Sequence, residues 1–321
     1  MPATREQFIE TWNKLGSPTL VSDALGVSVR KVQERRRRIE ATEGITLECH
    51  GSLNGAYKVK DGKPVQVSGT KNAPRKHCVI PDVQAKPGVP LDHLEWAGRF
   101  IAEKKPDVIV CIGDFADMPS LSSYDKGKKS FEGRRYKADI DAAHVAMDRL
   151  MAPIVKEPGY SPRLVMTLGN HEHRIVRATD NEPMLDGTIG LEDLGYEHFG
   201  WDVIPFLKVI KIDGIAYSHY FYNHNTGKPL AGLNLDTRLK TIGMSFSMGH
   251  QQGLMTAIRD LADGTRQRGL VAGSFYQHQE EYRGPQGNGH WHGIIMKHEV
   301  RDGNYDLMEV SLDYLRRRYS R

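Results

Sequence analysis

Five apolar runs in this sequence each end in a side chain that can bind a metal ion. The runs are HCVIP, VIVCIG, LVMTLG, GIAYS and GMSFSMG. In chain order they deliver Asp82, Asp114, Asn170, His219 and His250. Taken singly, an Asp or Asn after a strand is commonly a turn former, and a lone His is commonly a satisfied surface or core residue. The whole set, built from carboxylate, amide and imidazole groups, is harder to explain by coincidence, and its members can converge on one place.

The elements that must position these side chains follow an alternating pattern. From His77 onward, short apolar runs alternate with helical spacing, as in LDHLEWAGRFIAEK and DIDAAHVAMDRLM. This alternation predicts an α/β domain, in which ligands bind beyond the carboxyl ends of the strands. The later segment LMTAIRDLADGTRQRGLVAG has a central Asp-Gly pair and predicts a β-hairpin. Its Arg259, Arg266 and Arg268 either border the site or keep an edge strand soluble.

The first quarter of the chain has apolar residues at helical spacing and a high density of positive charge. Helices are predicted through TREQFIETWNKL, from Pro18 to Leu25, and from Ser28 to about Thr42. SPTLVSDALGVSVRKVQERRRRIE resembles a winged helix-turn-helix, with LGVS as the turn. The expected small core is Leu20, Leu25, Val27, Val32 and Ile39.

A helix-turn-helix would place the third helix against DNA. The candidate contacts to bases and phosphates are Ser28, Arg30, Lys31, Gln33, Glu34 and Arg35. The arginines from 35 to 38 cannot all face one groove, because consecutive helical residues point about 100° apart. The alternative is a helical hairpin used for dimerisation, with the arginines as a soluble face.

Two further segments complete the predicted organisation. ITLECHGSLNGAYKV is interpreted as a hairpin wing, and KDGKPVQVSGTKNAPRK as a basic linker. We therefore predict a DNA-binding domain over residues 1–56, a linker over 57–76 and an α/β domain over 77–321.

Composition limits the class of protein. The 321 residues are 39% apolar and 26% charged, which is typical of a soluble globular chain. No apolar stretch reaches membrane-spanning length, and MPATREQFIE lacks the apolar region of a signal peptide, so we expect a cytoplasmic protein with no membrane partner. The three cysteines are an odd number, and two lie in strand-like runs, which indicates packed thiols rather than disulfides.

The order D-x-x, GDxxD, GNHE, H, GH resembles the calcineurin-like metallophosphoesterases, and the resemblance covers nearly everything from His77 onward. It implies a β-sandwich flanked by helices and two divalent metal ions, with a hydroxide between them as nucleophile. By resemblance, Asp114 bridges the metals and Asp82 binds the first. Asn170, His219 and His250 bind the second metal, and the catalytic His171 stabilises or protonates the leaving oxygen.

The three residues that follow His171 can each be interpreted in two ways. Glu172 and His173 either orient ligands or face solvent. Arg174 either binds a phosphate oxygen of the substrate or pairs with a nearby acid.

The chain departs from the family pattern at two positions. The family usually has D-x-H and GHxH, whereas here Gln84 and Gln252 stand in place of the expected histidines. If both glutamines bind through their amide oxygens, the first site is all-oxygen and favours Mn²⁺, with Mg²⁺ or Zn²⁺/Fe as alternatives. The opposite interpretation is an empty first site, in a one-metal or inactive domain.

A literal GHxH is present at GHWH, which contains His290 and His292. It precedes the apolar run IIMKHEV, so it is predicted at the start of a strand, away from the metal-binding ends. We therefore favour His250 and interpret His290 and His292 as pocket or surface residues. His278 likewise stays open as a pocket or surface residue, and His224 in YFYNHN stays open between base stacking and a packed loop.

Together these features predict a metal-dependent phosphodiesterase or nuclease that is targeted to DNA. The arrangement resembles proteins of phage or prophage origin, acting in the bacterial cytoplasm. The alternatives are a phosphomonoesterase or phosphoprotein phosphatase with a localising N-terminal segment, and a DNA-binding regulator with a degenerate site.

Overall fold

Three helices form the N-terminal part of the computed structural model, which describes residues 3–47, 73–278 and 289–320. They are α1 (Arg5–Leu15), α2 (Pro18–Leu25) and α3 (Val29–Glu43). Thr4 and Gln7 form a capping box at the start of α1, and the Ser28 hydroxyl accepts from the backbone N–H of Lys31 at the start of α3. The predicted helix boundaries are thus confirmed within a residue or two.

The core of these helices differs from the predicted one. Its buried residues are Phe8, Trp12, Val21, Val29, Val32, Ile39 and Leu47. Leu20 and Val27, both predicted as core, are 51% and 36% exposed. The short α2 turns Val21 rather than Leu20 toward the aromatic rings of α1, so the prediction was wrong by one position on that helix.

A mixed sheet of six strands carries the first three strand ends. Its strands, in spatial order, are β13 (Asn304–Ser311), β12 (Gly293–Arg301), β1 (Arg75–Ile80), β2 (Val108–Cys111), β3 (Arg163–Thr167) and β4 (Asp202–Ile204). The four strands β1 to β4 are parallel, and β12 is antiparallel to β1. Because Arg75 pairs with Val300, β1 includes the last two residues of the predicted linker.

A second sheet carries the two histidine-bearing ends. Its strands, in spatial order, are β10 (Leu254–Asp260), β11 (Arg266–Ala272), β9 (Phe246–Met248), β6 (Ile215–Tyr217) and β5 (Ile210–Ile212). The predicted hairpin is confirmed by the antiparallel pairing of β10 with β11. A short ribbon of β7 (Tyr222–Asn223) and β8 (Lys228–Pro229) extends from this part of the chain.

The two sheets enclose an apolar layer, so the domain is a β-sandwich with helices outside. Val79, Val110, Tyr217, Leu270 and Ile295 pack between the sheets. The helices α4 (Asp92–Lys104), α5 (Tyr136–Lys156) and α8 (Leu312–Tyr319) lie on the outer face of the larger sheet. Two shorter helices, α6 (His173–Asn181) and α7 (Leu235–Ile242), follow β3 and precede β9.

The N-terminal helices pack beside α5. The Thr19 hydroxyl donates to the carboxylate of Asp148, and Arg36 Nη1 lies 3.2 Å from His198 Nε2. A cleft of about 930 Å³ separates α3 from α5 and the loops that follow β3. One face of the predicted recognition helix therefore points toward the sandwich.

The predictions for the wing, the linker and the cysteines have different outcomes. The predicted wing and most of the linker lie in residues 48–72, outside the described residues, as does Cys49. Cys78 and Cys111 are buried free thiols, as expected. Among the helices that the structure describes, none is long and apolar enough to cross a membrane.

Candidate metal centre

The ligand-type side chains from the strand ends converge at one edge of the sandwich. Ligand atoms of Asp114, His219 and His250 all lie within 4.8 Å of one another. His219 Nε2 is 3.2 Å from Asp114 Oδ2 and 3.0 Å from Asn170 Oδ1. Asp82 joins them because both its carboxylate oxygens accept from the backbone N–H of His250, at 3.0 and 3.1 Å.

Two glycines explain how these groups approach so closely. A Cβ on Gly169 would overlap Asp114 Oδ1, and a Cβ on Gly249 would overlap Asp82 Oδ1. The glycines of the GN and GH motifs are therefore the surfaces against which the two carboxylates pack.

Four residues of this edge have left-handed backbones. The φ angles of Gln84, Asp114, His250 and Gln252 are 48°, 51°, 68° and 59°. Such conformations of non-glycine residues cost on the order of 1 to 3 kcal/mol each, and they concentrate at ligand-binding and active sites. Four such residues on the loops at one edge therefore mark it as a candidate site.

The charges at this edge are strongly coupled. Burial, reinforced by the neighbouring Asp114 charge, raises the pKa of Asp82 to about 7. Burial opposes protonation of His219, but the Asp114 and Asp82 carboxylates outweigh it and raise the pKa of that imidazole to about 9. Burial likewise opposes ionisation of Asp114, yet His171 and His219 hold its pKa below the usual range.

The donor set fits divalent cations. It combines buried carboxylate oxygens, an amide oxygen and two imidazoles. His219 is oriented for binding, because its Nδ1 lies 2.9 Å from the backbone carbonyl of Ile112 and its Nε2 faces the other ligands. A backbone carbonyl on one ring nitrogen is the usual way a protein fixes the tautomer of a metal-binding histidine.

His171 lies at the border of this centre, between two carboxylates. Its backbone N–H donates to Asp114 Oδ1 at 2.9 Å, and its Nδ1 is 2.8 Å from Asp117 Oδ1. Its Nε2 is 3.7 Å from Asp114 Oδ2. Although burial opposes it, the charges of Asp114 and Asp117 raise the pKa of His171. The ring is therefore held in place and biased toward its protonated form.

The profile of the calcineurin-like phosphoesterase family matches residues 78–293, the segment that contains all five strand ends. The chain belongs to this family. It is also similar to the protein named "Gene 54 protein" from Mycobacterium phage D29, with 28% identity over 203 residues, which cover 56% of this chain and 71% of that relative. The expected phosphoesterase fold and a metal-dependent phosphoester hydrolase class are thereby confirmed.

Glu172 of this phosphoesterase holds the loops rather than facing solvent. Its buried carboxylate accepts from the backbone N–H groups of Asp114, Ala116 and Gly169 at 2.8 to 3.0 Å, and from the Tyr196 hydroxyl at 3.3 Å. It therefore joins the loop after β2 to the loop after β3 and positions Asp114.

The next two side chains have different partners, and Arg174 Nη2 lies 3.1 Å from Nε2 of His171. His173 stacks on Phe206 with ring centroids 4.7 Å apart. Arg174 donates to the backbone carbonyl of Asp117 at 2.7 Å and lies 3.3 Å from its Oδ1, so it pairs with an acid, one of its two predicted roles. Contact between Arg174 and a substrate stays a prediction.

The two glutamines that replace family histidines both lie at this edge. Gln84 and Gln252 are buried, and Gln252 Oε1 accepts from the Tyr276 hydroxyl at 2.8 Å. The same hydroxyl is 2.9 Å from His290 Nδ1. Binding of a metal by these amides stays a prediction.

The positional argument against GHWH was wrong. Because β12 is antiparallel to β1, the start of β12 lies at the same edge as the end of β1, and Ser274 bridges His292 there. His292 Nδ1 is 3.1 Å from the Ser274 hydroxyl. Within the described residues, however, the converging ligand group contains His250 and neither histidine of GHWH.

Other predicted candidates do not belong to the converging ligand group of the described residues. On the β10–β11 hairpin, Arg266 pairs with Asp260, and Arg268 donates to Asn304. His278 stacks on Tyr276, and His224 is exposed in the turn after β7. Arg259 also lies on β10. The hairpin arginines thus fit the interpretation as a soluble edge.

The candidate DNA contacts on α3 are separate from the metal centre. Ser28 caps the helix, Arg30 pairs with Glu34 at 2.9 Å, and Arg35 donates to the carbonyl of Ala3 at 2.6 Å. Lys31 is exposed, whereas Gln33 lines the cleft toward α5.

Sequence reasoning gave no role to Asp117 or Tyr276. Asp117 was visible as the second acid of GDFAD, at a fixed spacing from Asp114. Tyr276 had no such signal, because its partners Gln252 and His290 lie on other segments of the chain.

Proposed function

We propose that this phosphoesterase is a metal-dependent phosphodiesterase that cleaves nucleic acid and is brought to DNA by its N-terminal helices. One observation supports the chemistry above all: five ligand side chains converge where His171 is held between Asp114 and Asp117. A clamped imidazole beside a cation site suits transfer of a phosphoryl group to water.

The proposed cation-binding residues form two sets that share Asp114. Asp82, Gln84 and Gln252 would complete the first set, and Asn170, His219 and His250 the second. Bound cations supply Lewis acidity and lower the pKa of water. The oxygen-rich first set favours Mn²⁺ or Mg²⁺.

The protein's own groups would handle the leaving oxygen. His171 would donate a proton or a hydrogen bond to it, and the Asp117 carboxylate 2.8 Å from Nδ1 holds the ring for that purpose. Glu172 holds the loop after β2 against the loop after β3, because its carboxylate accepts three backbone hydrogen bonds from them.

Targeting to DNA is supported by the exposed basic face of the N-terminal helices. Lys31 and Arg38 on α3 are exposed and do not line the cleft, and phosphate contacts of such residues supply sequence-independent affinity.

A second candidate is a phosphomonoesterase whose N-terminal helices only localise it. It is favoured by the packing of α3, because Gln33 faces the cleft and Arg35 and Arg36 make contacts within the protein. Those contacts reduce the surface that α3 could offer to a DNA groove.

A matrix of metals against substrates separates the two functions. The purified chain is assayed with Mn²⁺, Mg²⁺ and Zn²⁺ on 4-nitrophenyl phosphate, bis(4-nitrophenyl) phosphate, and single- and double-stranded DNA. We expect Mn²⁺-dependent cleavage of the diester and of DNA, and its loss in Asp114→Ala and His171→Ala. Brisk hydrolysis of the monoester with diester and DNA left intact would establish the second candidate instead.

A further inference from the structure

A strongly basic loop, residues 122–135, lies beside the metal centre. It carries five basic and two acidic residues, a formal charge of +3 in a chain whose total is +4. We call this segment the rim loop. Its charge makes it a candidate surface for a polyanion.

The rim loop is next to the catalytic groups in both sequence and space. It begins five residues after Asp117, the acid that contacts His171. Arg174 of α6 donates to the carbonyl of Met118, at the base of the loop. The loop therefore rises from the same edge of the sandwich as Asp114.

Internal contacts give the rim loop a defined shape. Arg134 donates to Asp125 at 2.8 Å, to the carbonyl of Pro119 at 3.1 Å and to the carbonyl of Ser130 at 2.9 Å. Lys128 pairs with the same Asp125 at 3.0 Å. These contacts hold the ends of the loop together. The negative charge of Asp125 is paired with Arg134 and Lys128 inside the loop.

The remaining cations of the rim loop face outward. Lys126, Lys129 and Arg135 are exposed, and none of them forms an ion pair within the residues that the structure describes. Tyr124 stands beside them with 81% of its surface exposed. An exposed aromatic ring among unpaired cations is the combination that binds single-stranded nucleic acid, with bases on the ring and phosphates on the cations.

The opposite side of α6 is less suitable for a strand. The cleft beneath α3 is lined by four basic and six acidic residues, which would repel phosphates. Arg177, by contrast, lies one turn beyond Arg174 on α6, is exposed, and has no ion pair among the described residues. Arg177 thus adds an exposed cation on α6 to those of the rim loop.

We infer that the rim loop binds a single strand of nucleic acid and guides it to the metal centre, with Tyr124 as the stacking platform and Lys126, Lys129 and Arg135 as phosphate contacts. This inference rests on the proposed phosphodiesterase function and specifies its substrate. A duplex keeps its bases stacked internally, so it cannot use the Tyr124 ring in the same way.

Binding is tested on the full chain in EDTA, so that no cleavage occurs. Anisotropy of a fluorescein-labelled 20-nucleotide DNA is measured against KCl concentration for the wild type and for Lys126→Ala/Lys129→Ala/Arg135→Ala. Each lost single-strand phosphate contact lowers the slope of log Kd against log salt by about 0.7, so we expect a decrease of about 2. An unchanged slope overturns the inference.

The matched control is Lys156→Ala/Lys211→Ala/Lys240→Ala, which removes the same charge from exposed positions on α5, β5 and α7. Its slope should stay at the wild-type value. Equal losses in both triple variants overturn the inference, because they would reflect net charge alone.

Two further comparisons test strand preference and catalysis. Tyr124→Ala should weaken single-strand binding at least about 5-fold and leave binding to a duplex of the same length unchanged. The rim-loop triple variant should raise KM for the oligonucleotide without changing kcat/KM for bis(4-nitrophenyl) phosphate. Loss of turnover on the small diester as well, or equal loss of binding to an acidic phosphopeptide, overturns the inference.

These assays also separate the two proposals. A wild-type chain that binds the oligonucleotide through the rim loop but hydrolyses no diester would contradict the proposed function and leave the binding result standing. If the wild-type chain cleaves DNA and the rim-loop triple variant binds DNA equally well, the proposed function stands and the rim-loop inference is contradicted.

Discussion

Asp117 Oδ1 lies 2.8 Å from Nδ1 of His171, whereas Nε2 of the same ring lies 3.7 Å from Asp114 Oδ2. Asp117 is itself held by Lys86 at 3.1 Å and by Arg174. This arrangement fixes the imidazole and supplies a negative charge that favours its protonated form. It links the GDFAD and GNHE motifs at the candidate metal centre.

The first prediction concerns this pair. The Asp114 and Asp117 carboxylates both raise the pKa of His171, and Asp117→Asn removes the second of these charges, so that pKa falls. If protonated His171 serves the leaving oxygen, activity should decline from a lower pH than in the wild type, and kcat should drop about 10- to 100-fold. The check is a pH–rate profile on bis(4-nitrophenyl) phosphate, with Asp260→Asn at an exposed ion pair as control. An unshifted profile would contradict the role of Asp117.

The second prediction uses the close approach at Gly169. In Gly169→Ala the new methyl group overlaps Asp114 Oδ1, so the carboxylate must move out of the site. We expect activity to fall at least about 100-fold with weaker metal binding, measured by turnover and by titration with Mn²⁺. Gly289→Ala is the matched control, because a Cβ there meets nothing within 4 Å. Full activity in Gly169→Ala would show that the packing of Asp114 is dispensable.

The third prediction concerns metal preference. Replacing an amide oxygen by an imidazole softens the first site, so Gln84→His and Gln252→His should shift optimal activity from Mn²⁺ toward Zn²⁺ or Fe²⁺. Metal content after purification and the metal dependence of kcat measure the shift. Gln267→His, at a half-buried position on the β10–β11 hairpin, controls for an added histidine. If neither site variant alters metal content or preference, these glutamines do not bind metal.

The fourth prediction concerns the contact between the N-terminal helices and α5. Burial raises the pKa of Asp148 to about 6. A carboxyl group whose folded pKa is raised stabilises the fold at low pH and loses that contribution as the pH rises through about 6. Asp148→Asn keeps an acceptor for Thr19 but cannot ionise, so its free energy of unfolding relative to wild type should rise between pH 4 and 7. Urea unfolding at several pH values measures this, with Asp202→Asn as an exposed control. A difference that does not vary with pH would contradict it.

Much of the architecture could be predicted because it depends on local pattern. Strand and helix periodicity, the start of α3 after Ser28, and the Asp-Gly turn of the β10–β11 hairpin are short-range signals that the structure confirms. The choice of Leu20 over Val21 failed because which side of a short helix is buried depends on its neighbours.

The amino-acid sequence alone determined the ligand types and their order, since each motif is written in consecutive residues at the end of one strand. Only the tertiary structure decided which groups meet. The antiparallel insertion of β12 beside β1 brought GHWH to the catalytic edge, and long-range folding placed Asp117 against His171 and Glu172 beneath both loops. The physical reason is that contacts between distant segments depend on strand direction and packing, and neither is encoded in a local spacing.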